Sequence, residues 1–374
     1  MKILLVTMAM DIGGAETHIL ELAKELKRRK HEVYVMSNGG KYVNELENYG
    51  IEHIWAPMHN KKIGNMMKSY QILKKEIIEK KIELVHSHTR ISSFICGLLH
   101  KKMKFPFVTT AHWTFKVTPL LKWMSNWGEN VVAVSEDIKE YLIKNYQIAT
   151  ENIFVTVNGI DTERFSKNIN FDEIAREFNY KKEANRIVYI SRLDESRALV
   201  AKQLVNISEK LDRKIENLEI IIVGGGDTFD EIKKKADEIN RKLGKNLIIM
   251  TGARTDINRF AVSGTIFIGV SRAALEAMAC EQPVIIAGNE GYLGIFDETK
   301  LEKGIETNFC CRGLEMSSEE LLETDIYKLM SEKEKDKYGK YNREVVNKYY
   351  SIEKMTNDCE KAYTKTLKKW LFNI

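Results

Sequence analysis

Residues 270–286 (VSRAALEAMACEQPVII) bring a hydroxyl, a guanidinium and a carboxylate into one short stretch. Ser271 stands at the expected N-cap, residues 273–280 are strong helix formers, and Pro283 stops the helix. Residues 265–268 ahead of it read as a short buried strand. A helix N-terminus at the carboxyl end of a strand offers unpaired N–H groups and partial positive charge to a phosphate or a sugar hydroxyl. Glu276, one turn inside, is placed to accept two hydrogen bonds from a ribose diol. Arg192 and Arg197 lie in a loop after another expected strand, where a guanidinium fork holds diphosphate oxygens without a metal. The chain contains no Asp-x-Asp. Neutralisation by arginine and helix N-termini therefore fits better than a metal-chelated diphosphate.

All eight histidines fall within residues 1–112. His86, His88 and His112 follow apolar runs that read as parallel strands, and open α/β sheets carry their ligand groups at such carboxyl ends. A zinc site could be drawn from these three, but no carboxylate or cysteine completes it, and no metal or other cofactor is expected. His18, His31, His53, His59 and His100 read as packing or surface residues. Near the start, Gly13 and Gly14 lie in a turn between an apolar run and an amphipathic helix, where backbone can come close to a ligand. The turn is not G-x-G-x-x-G and has no acidic residue placed for a dinucleotide ribose, which argues against a dehydrogenase.

The elements that must position these groups alternate strand and helix throughout. Strands are expected at 2–8, 33–36, 52–56, 84–87, 107–111 and 131–134, then at 186–191, 218–223 and 247–250. Two successive doubly wound halves predict two facing Rossmann-like domains with a cleft between them. The expected domains are 1–167 and 168–350, with a C-terminal segment 351–374. A chain of 374 residues, 44% hydrophobic and 30% charged, suits that division and excludes a disordered protein. The opening apolar run is too short for a signal-peptide core, and no stretch approaches the ~20 apolar residues of a membrane span. Five cysteines without metal-ligand spacing read as reduced thiols, and a cytoplasmic location is expected.

The net charge of +5 is uneven: residues 1–167 hold 24 Lys and Arg against 18 Asp and Glu. A solvated surface accounts for this. So does a first domain that meets an anionic or lipid-linked partner at the inner face of a membrane, with no nucleic acid involved. The Lys-rich amphipathic stretch 61–81 reads as a solvated outer helix, with a membrane-surface helix as the alternative.

Taken together, residues 13–16, 85–88, 111–112, 133–135, 158–161, 191–193, 223–226, 251–254 and 275–280 resemble, in order and spacing, the family 4 retaining glycosyltransferases of the GT-B fold. The resemblance covers nearly the whole chain. It implies transfer of a sugar from a nucleoside-diphosphate donor with retention at the anomeric carbon, commonly in cell-envelope polysaccharide or glycolipid synthesis. By position, Gly14 would approach the donor diphosphate, Arg192 would pair with it, and Arg197 would replace the family's lysine. Glu276 would bind the donor ribose, Arg254 would flank the base, and His112 would lie near the transferred sugar. Ser271 and Arg272 join the donor-binding set, His86 and His88 the acceptor side. The resemblance also implies a helix around 352–371 that crosses back onto the first domain.

Two positions depart from the family. Ile268 stands where a second glutamate contacts the donor sugar, which leaves donor-sugar recognition to the backbone around 269–272. Glu281 stands where glycine usually follows Ala-Cys. Both departures admit a silent homologue that binds a nucleotide sugar or a partner transferase. A sugar-nucleotide epimerase would need carboxylates poised for acid–base work, and the sequence gives that little support.

Overall fold

Runs of Val, Ile and Leu that are buried on both faces form parallel strands, and helices cover both sides of each sheet. The computed structural model describes residues 1–331, 333 and 335–371. It divides into two units: residues 1–159 together with the C-terminal helix Ile352–Leu371, and residues 160–351. The division falls earlier than the boundary expected at 167, because residues 160–165 are tied into the second unit. Ile160 bridges Ser351, Phe165 is buried, and Arg343 donates to the Thr162 carbonyl at 2.9 Å and the Phe165 carbonyl at 2.7 Å.

The first unit carries β1 (Lys2–Val6), β2 (Glu32–Ser37), β3 (Glu52–Trp55), β4 (Leu84–Ser87), β5 (Phe107–Ala111), β6 (Asn130–Ala133) and β7 (Ile153–Val155). All pair in parallel, in the order β3-β2-β1-β4-β5-β6-β7. The order reverses between β1 and β4, so the connections leave on opposite sides there and open a crevice at the strands' carboxyl ends. One face of the sheet packs against Ile19, Leu20 and Leu26 of the helix Gly14–Arg28. Met355, Cys359, Ala362 and Tyr363 of the C-terminal helix complete the same cluster. The Lys-rich helix Ile63–Glu79 lies on the other face, burying Leu73 and Ile77 and leaving Ile63 and Met67 exposed.

The second unit carries β8 (Asn185–Ile190), β9 (Leu218–Val223), β10 (Ile248–Gly252), β11 (Ile266–Gly269), β12 (Val284–Gly288) and β13 (Gly291–Ile295). Their order is β10-β9-β8-β11-β12-β13, parallel except for the final antiparallel pair. The reversal here lies between β8 and β11.

The five cysteines are free and buried. Among the described residues, no helix is long and apolar enough to cross a membrane.

Glu281 adopts the left-handed conformation, φ +59°, just past the helix Ser271–Ala279. A β-carbon costs roughly 1–2 kcal/mol in that region, and the 2.9 Å ion pair of Glu281 with Lys167, largely solvent-exposed, returns little of it. Glu281→Gly is therefore expected to stabilise the protein by about 1 kcal/mol, which a calorimetric melt would register as a rise of roughly 2–4 °C. An unchanged or lower midpoint would mean that the ion pair outweighs the strain.

Candidate functional site

In the first unit the histidines gather at the strand-order reversal. His86 lies one residue before the end of β4 and is wholly buried. Its Nδ1 lies 2.7 Å from the Tyr363 hydroxyl and its Nε2 2.7 Å from the Thr110 hydroxyl. With both ring nitrogens engaged and no surface exposed, His86 is removed from the acceptor contact expected of it. It becomes a positioning residue that fixes the C-terminal helix to the strand ends.

His88 follows β4, with its Nδ1 3.1 Å from Nε2 of His112, which follows β5 and is only partly buried. His18, wholly buried in the first helix, packs its ring edge-on to His112 with centroids 4.8 Å apart. Its place in the sequence predicts a packing or surface residue, but the structure puts His18 in this cluster. Burial pushes the His86 imidazole down to about 3 and holds His88 and His112 low as well. These rings are neutral at physiological pH, where an imidazole acts as a hydrogen-bond donor and acceptor rather than as a cation.

Ring nitrogens of His18, His88 and His112 all lie within 4.8 Å of one another. Three imidazole nitrogens converging in this way suit a transition metal. His18 stands where the sequence reading had His86, whose nitrogens are taken. The His88–His112 hydrogen bond accounts for the close approach of two of the rings.

Gly13 caps the first helix in an extended conformation, its carbonyl accepting from the Thr17 N–H at 2.9 Å. A β-carbon on Gly14 would meet nothing within 4 Å. No packing within the protein demands a glycine there, so the open space beside its backbone suits a ligand.

In the second unit, Arg192 and Arg197 project from the loop after β8, and both are exposed. That loop rests on the Gly224–Gly226 turn after β9. A β-carbon on Gly224 would strike the Ser191 carbonyl, and one on Gly226 the Leu193 carbonyl. Leu193 N–H donates to the Gly225 carbonyl at 3.0 Å, while the Thr228 hydroxyl donates to the Leu193 carbonyl at 2.7 Å. The glycines thus set the position of the arginine loop.

Across the strand-order reversal, the residue before the helix is Val270, not Ser271. Ser271 begins the helix with φ +51°, and its N–H donates to the Phe309 carbonyl at 2.8 Å. The capping position falls to Val270, whose side chain makes no capping hydrogen bond, so the expected N-cap at Ser271 is not formed. Asn308, Phe309 and Cys311 are also left-handed. Such clusters of strained backbone are typical of functional sites.

Within this helix, Nε of Arg272 donates to Oε1 of Glu276 at 2.8 Å, and both side chains are buried. Both Nη atoms of Arg272 are buried without a hydrogen-bond partner among the described residues. Unsatisfied buried guanidinium groups are costly, and a bound anion would satisfy them.

Ile268 is wholly buried in β11, inside the apolar cluster of Ile187, Tyr189, Ile285 and Ile295. Arg254, expected to flank the base, already donates from all three nitrogens to Glu177 and Asp256 at 2.7–3.0 Å. It ties the β10 loop to the helix Asp172–Glu177, which makes it a scaffold residue.

Sequence reasoning missed Glu290 and Arg312. Glu290 follows β12, and Arg312 donates to it at 3.2–3.3 Å. Burial raises the Glu290 carboxyl while the nearby Arg197 lowers it, so Glu290 belongs to the surroundings of the arginine loop.

The family described as Glycosyltransferase Family 4 matches residues 12–164, and that described as Glycosyl transferases group 1 matches residues 184–306. The chain belongs to glycosyltransferase family 4. Its two parallel-dominated sheets are those of the two-domain, Rossmann-like GT-B fold. Among solved structures it resembles a glycosyltransferase from Rickettsia africae ESF-5, with TM-score 0.77 and 21% identity over 98% of this chain and 99% of that one. It also resembles HepE of Anabaena in complex with UDP-glucose, with TM-score 0.75 and 16% identity over 99% and 100%. A curated relative is the UDP-Gal:alpha-D-GlcNAc-diphosphoundecaprenol alpha-1,3-galactosyltransferase of Escherichia coli. It is 24% identical over 257 residues, 62% of this chain and 63% of that one. This family 4 chain therefore carries its candidate groups where its fold reverses strand order, in each of its two units.

Proposed function

We propose that the protein transfers a sugar, with retention at the anomeric carbon, from a nucleoside-diphosphate-sugar donor to a hydroxyl of a glycan or lipid-linked acceptor, in cell-envelope glycan synthesis. The observation that carries this reading is the Arg272–Glu276 pair: a buried carboxylate beside a guanidinium whose Nη groups have no partner among the described residues. Glu276 would take the donor ribose, and the Nη groups of Arg272 its anionic oxygens. Arg192 and Arg197 would offset the charge that develops on the departing diphosphate, so no metal is written into the reaction. The acceptor hydroxyl would attack from the face the diphosphate leaves, with His112 the histidine exposed enough to meet the sugar. The UDP-glucose complex of HepE and the diphosphoundecaprenol acceptor of the E. coli relative make UDP-sugars and polyprenyl-linked acceptors the first candidates.

A thermal-shift panel of UDP-, GDP- and ADP-sugars tests the donor site, with Glu276→Ala and Arg192→Ala alongside. One nucleotide series should stabilise the protein and fail to stabilise either variant. No shift with any donor would sink the proposal. Ile268, packed in the core where the family has a glutamate, favours a second reading: a homologue that binds the donor and does not turn it over. That reading predicts the same shifts with no transfer to any acceptor and no donor hydrolysis.

Gly14 gives a sharper test. Because a β-carbon there is unopposed, Gly14→Ala should leave stability unchanged or raise it by up to about 1 kcal/mol, as alanine favours the first turn of a helix. Donor affinity should nevertheless fall by about tenfold or more, a loss of ~1.4 kcal/mol. Calorimetric titration of the folded variant separates the two effects, and unchanged affinity would place the donor away from Gly14.

A further inference from the structure

Between Glu83 and Glu129 the chain has no acidic residue, while Arg90, Lys101, Lys102, Lys104, Lys116 and Lys122 fall inside that interval. The structure turns this interval into one surface of the first unit. The helix Pro119–Met124 buries none of its residues. It presents Leu120 and Trp123 at 65% and 73% exposure, and Phe115 ahead of it is exposed as well. Trp123 lies 5.7 Å, ring to ring, from Phe94, and the Arg90 guanidinium covers Phe115 at 4.5 Å. The first contact brings the short helix, and the second the segment ahead of it, against the helix Arg90–Met103, whose exposed Leu98 lies one turn beyond Phe94 and whose last turn carries Lys101 and Lys102. Exposed aromatic and leucine side chains carried on an interval that holds cations and no acid have the chemistry of an interfacial anchor: apolar groups enter the headgroup boundary while lysines meet anionic headgroups.

We propose that this surface docks the protein onto an anionic lipid bilayer. The inference rests on the reading of a lipid-linked acceptor, since such an acceptor is held at a membrane. It assigns the contact to the helix Pro119–Met124 and its neighbours rather than to the Lys-rich helix Ile63–Glu79. The latter also exposes Ile63 and Met67, but its lysines alternate with Glu76 and Glu79, which pair with Lys80 and Lys75 at 3.7 Å.

Co-sedimentation of the full chain with phosphatidylcholine vesicles, with and without phosphatidylglycerol, tests the assignment. The protein should bind the anionic vesicles and release from them as salt is raised. Leu120→Ser with Trp123→Ser should lower the partition coefficient about tenfold or more. Lys116→Glu with Lys122→Glu should lower it at least as far, each removed cation being worth about fivefold near an anionic surface. Ile63→Ser with Met67→Ser should bind as the parent does. All of these side chains are exposed, so unchanged melting midpoints will show that the variants are folded. Absence of binding to anionic vesicles would overturn the proposal, as would loss of binding through Ile63 and Met67 alone. Donor-induced thermal shifts measured on the same samples tell the two failures apart: shifts without vesicle binding remove the docking surface and leave the transferase.

Discussion

Replacing Ile268 with glutamate is expected to disrupt the second unit rather than restore the donor-sugar contact that the family makes at this position. The Ile268 side chain is wholly buried in the apolar cluster of Ile187, Tyr189, Ile285 and Ile295. The substitution exchanges a packed aliphatic group for a carboxyl that must lose its water or its charge. Together these changes should cost about 5 kcal/mol or more, a large part of the roughly 5–15 kcal/mol by which a folded domain is stable. Ile268→Val, which only trims the side chain, should cost about 0.5–1.5 kcal/mol. Denaturant titrations of the two variants check the contrast. A folded Ile268→Glu protein with turnover above the parent would show that the end of β11 can turn its side chain toward a ligand.

Arg272→Ala is the second large effect. It leaves Glu276 buried without its charge partner, and breaking a buried ion pair from one side costs about 3–5 kcal/mol. Removing both partners in Arg272→Met with Glu276→Leu should cost far less, since no uncompensated charge remains. The double variant should also lose its response to donor. In the parent, donor at a hundredfold over its Kd adds about 2.7 kcal/mol of stability, and in the double variant it should add none. If the double variant is as unstable as Arg272→Ala, the pair is chiefly a packing element. If it still responds fully to donor, the anion site lies elsewhere.

The central strands of both sheets were legible because a strand buried on two faces must be apolar throughout. The bounds of β4, β5 and β9 follow directly from the runs LVHS, FVTTA and LEIIIV. The edge strands β7 and β13 were not legible: one is three residues long, and the other contains two glycines. The arginine loop and the Arg272–Glu276 helix were visible because both lie just after central strands. Partnerships across long sequence separations were not. Glu177 lies 77 residues from the Arg254 it occupies, and Tyr363 lies 277 residues from His86. Such distances carry no local signal, so Arg254 read as available for a base and His86 as available for an acceptor. His18 was hidden for a different reason: on an amphipathic helix its spacing is that of any inward-facing residue.

The hydrogen bond between Tyr363 and His86 also bears on the order in which the molecule takes shape. Met355, Cys359, Ala362 and Tyr363 complete an apolar cluster founded on Ile3, Leu5 and Leu20. A ribosome releases those founding residues long before the closing helix, and synthesises residues 160–351 in between. During that interval the nascent first unit lacks the apolar cover of the closing helix, and His86 lacks the Tyr363 partner at its Nδ1. The second unit, whose apolar cluster among the described residues includes none from the closing helix, is free to fold first. The earliest-made half of the chain is thus the last to be finished.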